Sequence, residues 1–494
     1  MTTLRALSVD LDLQEALDDA ALSLTVRGIA DDSRRVGAGD LFVAVRGQTV
    51  DGHAYLGDVA ARGAVAAVVE ARSADFPGPQ LVVPSTSAAL AWLAARFHGR
   101  PADALRLIAV TGTNGKTTTT HLVESLLLAA GRKPGIIGTV TYRSPAGSRP
   151  APFTTPTPLQ LHATLAEMRD AGATDVAMEV SSHALALDRV AGLRFAVGAF
   201  TNLTQDHLDF HGTMEAYGAA KARLFAEHLA DDGVAVICVD GDAQQMLAAA
   251  HGRVLRVSAT GKNADVRVES ATLVEGGTAL SLVTPLGTIA FTTPLVGGFN
   301  VENLAVAVGI GVGLGLDAAT IARGLTTARG APGRLERVGA GSDPAVYVDY
   351  AHTPDALERA LEALRPLATG RGGALWVVFG CGGDRDRGKR PQMGRIAEAG
   401  ADRVVVTSDN PRTEAPQAIV DQITAGLVAP ARAIVLVDRR AAIERAVADA
   451  TARDVVLVAG KGHEDYQIIG QEKRHFDDRE VAGEALGRRG TKLG

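Results

Sequence analysis

The sequence predicts an α/β protein built from three domains. An apolar, β-prone run, Leu107–Val110, feeds a glycine-rich turn and then a helix-like segment. Other short apolar runs alternate with helical segments along the rest of the chain, the order that builds mostly parallel sheets. The 494 residues are enough for about three domains at roughly 100–200 residues each.

Residues 1–100 read as a small α/β domain. Leu41–Val45 and Ala66–Val69 are strand-like, Ala88–Phe97 reads as a helix, and His98-Gly-Arg-Pro-Ala reads as a linker. The second domain, 101–338, holds the glycine-rich turn. Its further strand candidates are Gly135–Ile137, Asp175–Val180, Ala196–Phe200 and Val234–Val239. Ala331-Pro-Gly-Arg-Leu-Glu marks the next joint. Over 339–494 the pattern recurs in Leu375–Phe379, Val404–Thr407, Ile434–Val437 and Val455–Val458, which resembles a Rossmann-like open sheet.

Composition excludes several classes. A 46% hydrophobic content suits an ordinary globular protein. A net charge of −6 with no Lys/Arg tract argues against nucleic acid as a partner. Cys238 and Cys381, the only cysteines, are far apart and fit no zinc pattern, so a reducing cytosol is the simplest reading. No run approaches the ~18 apolar residues of a membrane span, and the first residues lack signal-peptide organisation. A soluble cytoplasmic protein with no membrane insertion is expected.

The turn after Leu107–Val110 reads Gly112-Thr113-Asn114-Gly115-Lys116-Thr117-Thr118. Small residues let backbone N–H groups approach phosphate oxygens, and a following helix adds a favourable dipole. Lys116 can reach the β/γ-phosphates, and the Thr117 hydroxyl can ligate Mg²⁺. ATP is therefore the expected energy source. The general pattern wants a glycine where Val110 stands.

Two polar clusters follow later strand candidates, at the edge where open α/β sheets bind ligands. They are Met178–His183 and Thr201–Gly212. Glu179 could hold Mg²⁺ together with Thr117. His183, His207 and His211 each read, in isolation, as capping or satisfied polar residues. Beside a phosphate loop, His207 reads as a ligand to a second metal. In the last domain, Gly380–Arg390, Ser408–Arg412 and Gly460–Asp465 would meet at one edge if their strands are parallel. Their mixed charge suits a zwitterionic amino acid. Arginine forks hold carboxylates, and Glu464 could hold an ammonium group. Asp349, after a strand, could accept from ribose hydroxyls.

Together, Thr111–Thr118, Met178–Leu185, Asn202–Gly212, Gly298–Asn303, Gly333–Glu336 and Asp349–Pro354 resemble the Mur ligases of peptidoglycan synthesis. The shortened phosphate loop is the form that family uses. Asp32-Ser-Arg-Arg, Gly39–Ala44 and Asp51-Gly-His53 are similar to a uridine-diphosphate-binding domain of the family. The resemblance thus implies a UDP-binding first domain, a central ATPase-like domain with a parallel sheet, and an amino-acid-binding Rossmann-like third domain.

It also implies an activity. A carboxylate of UDP-N-acetylmuramoyl-L-Ala-D-Glu attacks the ATP γ-phosphate, and the amine of meso-2,6-diaminopimelate then attacks the acyl phosphate. Two Mg²⁺ ions are implied, with Thr117, Glu179 and His207 as ligands. Lys221 matches a carbamylated lysine that would complete the second metal site through a CO₂-derived carbamate. Lys116, Glu179, His207 and Lys221 are thus the implied catalytic set. Asn303, Arg334 and Asp349 look like ATP contacts. Thr154, Thr155, Ser181 and Arg189 look like contacts to the muramoyl-dipeptide, and Ser33 lies near the uridine nucleotide. Arg385, Asp409, Asn410, Arg412, Gly460 and Glu464 resemble a diaminopimelate site. Family members carrying Asp409-Asn-Pro-Arg412 are associated with diaminopimelate; those using L-lysine, the alternative substrate, differ there. A monomer acting on small molecules is expected.

Overall fold

The computed structural model describes residues 2–47, 50–339, 341 and 343–490. By backbone proximity the chain divides into two units. The first runs to Arg267 and includes Val306–Ile321; the second comprises Val268–Ala305 and the residues from Ala322 onward.

The first unit begins with a four-stranded sheet of β1 (Gly28–Ala30), β2 (Asp40–Val43), β3 (Ala66–Val69) and β4 (Gln80–Val82), all parallel and in sequence order. Strand alternation sends Leu41 and Val43 to one face and Phe42 to the other. The first face packs on Leu90 and Leu93 of α1 (Thr86–Phe97), the second on Leu56 and Val59. Helix α1 begins two residues before the expected start because the Ser85 hydroxyl caps it, accepting from Ala88 N at 3.3 Å.

A larger sheet follows. Eight of its eleven strands are β5 (Arg106–Thr111), β6 (Pro134–Ile137), β7 (Thr141–Ser144), β8 (Gly147–Pro150), β9 (Asp175–Glu179), β10 (Phe195–Phe200), β11 (Leu229–Cys238) and β12 (Arg253–Ser258). They lie in the order β8-β7-β6-β9-β5-β10-β11-β12. From β6 to β12 every neighbouring pair is parallel, while β6-β7-β8 is an antiparallel meander at the edge. The chain turns back across β5, so β9 and β10 flank it. That is the switch point of an open sheet, where the crevice outside the strand ends takes a ligand. The helices used below are α2 (Lys116–Ala129), α3 (Pro158–Asp170), α4 (Ser182–Ala186) and α5 (Met214–Glu227). On α3, His162 is 1% exposed, and neither ring nitrogen has a hydrogen-bond partner. It lines a cavity of about 60 Å³ with Trp92, Ala95 and Gly192.

In the second unit, β13 (Gly277–Thr284) and β14 (Gly287–Thr293) form an antiparallel hairpin. Helix α6 (Gly298–Gly313) carries the chain back into the residues of the first unit. The last sheet contains β15 (Glu336–Val338), β16 (Ala345–Asp349), β17 (Leu375–Phe379), β18 (Arg403–Val406), β19 (Ile434–Val435) and β20 (Val455–Ala459), in the order β15-β16-β20-β17-β18-β19. Only β15 is antiparallel. Its apolar strands are buried on both faces by helices, among them α7 (Pro354–Gly370), α8 (Lys389–Gly400), α9 (Arg439–Asp449) and α10 (Asp478–Gly490). The expected strand Ile434–Val437 shrinks to two residues, and the expected Val234–Val239 starts at Leu229. Among the described residues no helix is long and apolar enough to cross a membrane.

Candidate active site

The glycine-rich loop leaves β5 at the switch point. Gly112 has φ +143°, and a Cβ there would sit 1.9 Å from Thr201 Oγ1, so only glycine fits. Gly115, at φ +86°, turns the chain into α2. The loop after β10 braces this turn. Asn202 O accepts from Thr113 N at 2.8 Å, and Asn202 Oδ1 accepts from Asn114 N at 3.0 Å. Thr201 Oγ1 donates to Asn114 O at 2.6 Å. Lys116 Nζ donates to the carbonyls of Gly112 and Thr113 at 2.9 and 2.8 Å. Lys221 Nζ donates to the same Gly112 carbonyl at 2.8 Å.

Glu179 ends β9 and is 1% exposed. Its Oε2 accepts from Thr117 Oγ1 and Thr139 Oγ1, each at 3.1 Å, and its Oε1 from Thr139 N at 2.7 Å. Thr118 is buried in the first turn of α2. Thr139 Oγ1 also meets Thr154 Oγ1 at 3.0 Å. Thr155 Oγ1 donates to Glu179 O at 2.9 Å and accepts from Ser181 N at 3.1 Å, while Arg189 Nη1 donates to Thr155 O at 3.0 Å. Thr154, Thr155, Ser181 and Arg189, far apart in sequence, therefore form one polar chain around the Glu179 backbone. Ser33 lies in a separate place, the 3-10 turn Ser33–Arg35 after β1, which Asp32 caps.

His207 sits at φ +52° on the loop after β10, with its side chain 44% exposed. Its ring packs edge-on against His183 at 4.8 Å and lies 6.1 Å from the Tyr217 ring. Lys221, on α5, is 1% exposed, and its Nζ is 4.4 Å from the centre of the same Tyr217 ring. Burial, then the nearby Lys116 charge, push the Lys221 amine well below the usual lysine range, with Asp206 opposing. The Thr117 hydroxyl and Glu179 carboxylate are hard oxygen donors on one spot, a pair that suits Mg²⁺. Among the described residues no three His, Cys, Asp or Glu side chains gather as a metal site.

The second unit holds the other cluster. The loops after β17, β18 and β20 leave one edge of the sheet, as their parallel order requires. Gly383 N donates to Asn410 O at 2.9 Å, and Arg412 Nη1 donates to Gly383 O at 2.8 Å. Asn410 Nδ2 donates to Glu464 Oε2 at 2.8 Å. Arg412 has φ +51°, held by its N–H on Ile468 O at 3.0 Å. Asp409 is buried, and its Oδ1 has no hydrogen-bond partner. Gly460, at φ +121°, lets Asp409 close in; a Cβ there would be 2.9 Å from Asp409 Oδ2. Arg385 is exposed and donates to Asp384 O at 3.4 Å.

Three cations of this cluster are buried, which the sequence did not report: Arg390 and Lys461 lie inside the Gly380–Arg390 and Gly460–Asp465 loops, and Arg439 lies outside every motif. Arg439 is fully buried against Asp478, with Nε–Oδ1 and Nη2–Oδ2 at 2.8 and 2.6 Å. It also donates to the carbonyls of Ser408 and Ala459 at 3.1 and 3.0 Å, the residues just before Asp409 and Gly460. Arg390 forks onto Glu414 and donates to Gly382 O at 3.1 Å. That fork holds the Glu414 carboxyl down at about 2. Lys461 is the third.

Asp349 is buried at the end of β16 and accepts from Leu335 N at 2.7 Å and Ala351 N at 2.8 Å; burial pushes its carboxyl upward. Arg334 stacks over the Tyr350 ring at 5.0 Å, and Asn303 on α6 donates to Asn300 Oδ1 at 3.3 Å. Two backbone contacts join this corner to the amino-acid loop. Gly460 N donates to Asp349 O at 3.0 Å. A Cβ on Gly333 would lie 2.1 Å from Gly462 C.

A phosphate loop at a sheet switch point, with a separate mixed-charge loop cluster on a second parallel sheet, defines a nucleotide-using ligase, and the chain belongs to the Mur ligase family. The Mur ligase family catalytic domain matches residues 25–98, the Mur ligase middle domain 110–311, and the Mur ligase glutamate ligase domain 333–462. Within the family, the chain is similar to two proteins named UDP-N-acetylmuramoyl-L-alanyl-D-glutamate–2,6-diaminopimelate ligase. The one from Gloeobacter violaceus is 51% identical over 472 residues, 95% of each chain. The one from Parasynechococcus marenigrum is 48% identical over 496 residues, 97% of this chain and 98% of the other. A solved structure of a ligase of that name matches at 34% identity and a TM-score of 0.74, covering 99% of both chains.

Proposed function

We propose that this protein is an ATP-dependent ligase that joins meso-2,6-diaminopimelate to the D-Glu carboxylate of UDP-N-acetylmuramoyl-L-Ala-D-Glu, in cytoplasmic peptidoglycan precursor synthesis. The observation that carries the reading is the meeting of Arg412, Asn410 and Glu464 at one sheet edge, in a chain that also bears the Gly112–Thr118 phosphate loop. Residues 1–100 take the uridine diphosphate, with Ser33 nearby, 101–338 take ATP, and 339–494 take the amino acid. The enzyme acts as a monomer.

In the first step the D-Glu carboxylate oxygen attacks the γ-phosphorus, the bond to the β-bridging oxygen breaks, and ADP leaves. The second step joins the diaminopimelate nitrogen to the acyl carbon. Inorganic phosphate departs, and the amine loses a proton. Phosphoryl transfer needs in-line positioning and charge neutralisation more than covalent help. Lys116 and the loop N–H groups supply part of that neutralisation, and Thr154, Thr155, Ser181 and Arg189 orient the attacking carboxylate. Thr117 and Glu179 would hold one Mg²⁺, and His207 with a carbamate on Lys221 a second; bound there, the ions offset charge on the phosphates. The depressed Lys221 amine supports the carbamate, because only an unprotonated amine adds CO₂. Asn303, Arg334 and Asp349 contact the nucleotide. Arg385, Asp409 and Gly460 complete the amino-acid site.

Arg412 also supports diaminopimelate over L-lysine. The second carboxylate of diaminopimelate offers the guanidinium, which already holds the Gly383 carbonyl, a charged partner that lysine lacks. Phosphate release is measured with ATP, Mg²⁺ and UDP-N-acetylmuramoyl-L-Ala-D-Glu, adding either amino acid. Turnover with diaminopimelate only is expected. Turnover with L-lysine in its place overturns the substrate assignment, and no turnover with either, in folded ATP-binding protein, overturns the ligase reading.

A further inference from the structure

We propose that Lys461 is a specificity-determining residue. Its buried ammonium sets the charge of the amino-acid pocket, so that a zwitterionic end is accepted and a bare ammonium end is rejected. The inference rests on the ligase reading above.

Lys461 is 0% exposed. Its Nζ lies 3.5 Å from Asp409 Oδ1 and 3.6 Å from Glu464 Oε2, and it donates to Asn410 Oδ1 at 3.2 Å. The Tyr466 ring covers it at 5.5 Å. Lysine is among the residues least often fully buried, and a buried charge is costly unless paired. Each of these three polar partners belongs to the set assigned to diaminopimelate. Asp409 Oδ1, moreover, is a buried acceptor with no hydrogen bond, so the Lys461 charge is what faces it.

The charges decide the selection. Asp409 and Glu464 bring two negative charges; Lys461 and Arg412 bring two positive ones, and the exposed Arg385 adds a third. Arg439 beneath them is already matched by Asp478. The acids of the pocket are thus fully balanced by cations and its poles are separated, which complements the ammonium and carboxylate on the far end of diaminopimelate. Arg412 attracts the carboxylate but does not stop the acidic pair from taking a lone ammonium. Lys461 does, because a ligand that brings only a cation, such as the end of L-lysine, meets a site whose acids are already balanced. Discrimination of this kind comes from disfavouring the wrong partner as much as from attracting the right one.

The test compares wild type with Lys461→Met and Lys461→Gln. It measures kcat/KM for meso-diaminopimelate and for L-lysine, and KM for ATP and the UDP-linked dipeptide. In both neutral variants KM for diaminopimelate rises, L-lysine turnover emerges or increases, and the preference ratio falls by about tenfold or more, equivalent to about 1.4 kcal/mol. KM for the other two substrates stays put, and Lys461→Arg keeps the ratio. A structural lysine would lower every rate together and would not raise turnover of L-lysine. An unchanged ratio in an active neutral variant refutes the inference alone, as does an equal fall in Lys461→Arg. Failure of both neutral variants to fold assigns Lys461 to folding and also overturns it. A wild type inactive with diaminopimelate refutes the ligase reading itself, and this inference with it.

Discussion

His162 gives the protein a pH-dependent stability whose size follows from its surroundings. The ring is 1% exposed with both nitrogens unpartnered, and burial, helped by nearby His98, pushes its pKa down to about 4. In the unfolded chain the same group titrates near 6.5. Between those values the unfolded state binds the proton and the folded state does not, so stability falls as pH falls. The contribution is fully present above pH ~6.5 and is lost as the pH drops through about 4. The whole shift is worth about 3 kcal/mol, and about 2 kcal/mol of it is gone by pH ~5. The perturbation is His162→Phe, which fills the same apolar space without a titrating group. Urea unfolding of both proteins at pH 7.5, 6, 5 and 4.5, followed by far-ultraviolet circular dichroism, isolates the histidine, because every other group titrates in both. The variant should lose less stability than wild type on acidification, with the gap opening below pH ~6.5. Parallel pH profiles would show that His162 finds a proton partner in the folded state, and would refute the reasoning.

Three further outcomes are expected. Arg412→Ala should raise KM for diaminopimelate by roughly ten- to hundredfold, the worth of one charged hydrogen bond; equal changes in KM for ATP and the UDP-linked dipeptide contradict the assignment. Gly112→Ala should abolish tight nucleotide binding measured by calorimetry, since its Cβ would overlap Thr201 Oγ1; wild-type affinity would show that the loop can shift. Asp478→Ala leaves the Arg439 charge buried and unpaired, at a cost of about 3–5 kcal/mol. Thermal melting should show a drop of roughly 6–20 °C, at about 2–4 °C per kcal/mol for a domain of this size, and a drop under ~2 °C would mean that water reaches the guanidinium.

The strands that hold the sites were legible because each is a short apolar run ended by a glycine or polar cluster. Ala66–Val69 and Leu375–Phe379 coincide with the observed strands. The loops at their ends were legible through residue type, and Thr117 does meet Glu179. What escaped was polar or non-local. The edge strands Thr141–Ser144 and Gly147–Pro150 carry little apolar signal, since half of that hairpin faces water. Arg439 and Asp478 are 39 residues apart and read as surface charges until the fold buries both. Lys461 sat inside a recognised motif, but the role proposed for it depends on its burial beside Asp409, and no spacing rule reports burial of a lysine.

The backbone joints between the Asp349 corner and the amino-acid loop bear on inhibitor discovery. On the proposed assignment, the Gly460 N–H to Asp349 O bond and the Gly333–Gly462 contact splice the nucleotide corner directly to the loop that selects the amine. No side chain lies between to absorb a shift. Any coupling carried by these joints is reciprocal, so each ligand would change the other's affinity by the same factor. Compounds aimed at the amino-acid pocket are therefore best ranked both with and without ATP, since a difference between the two rankings measures that coupling.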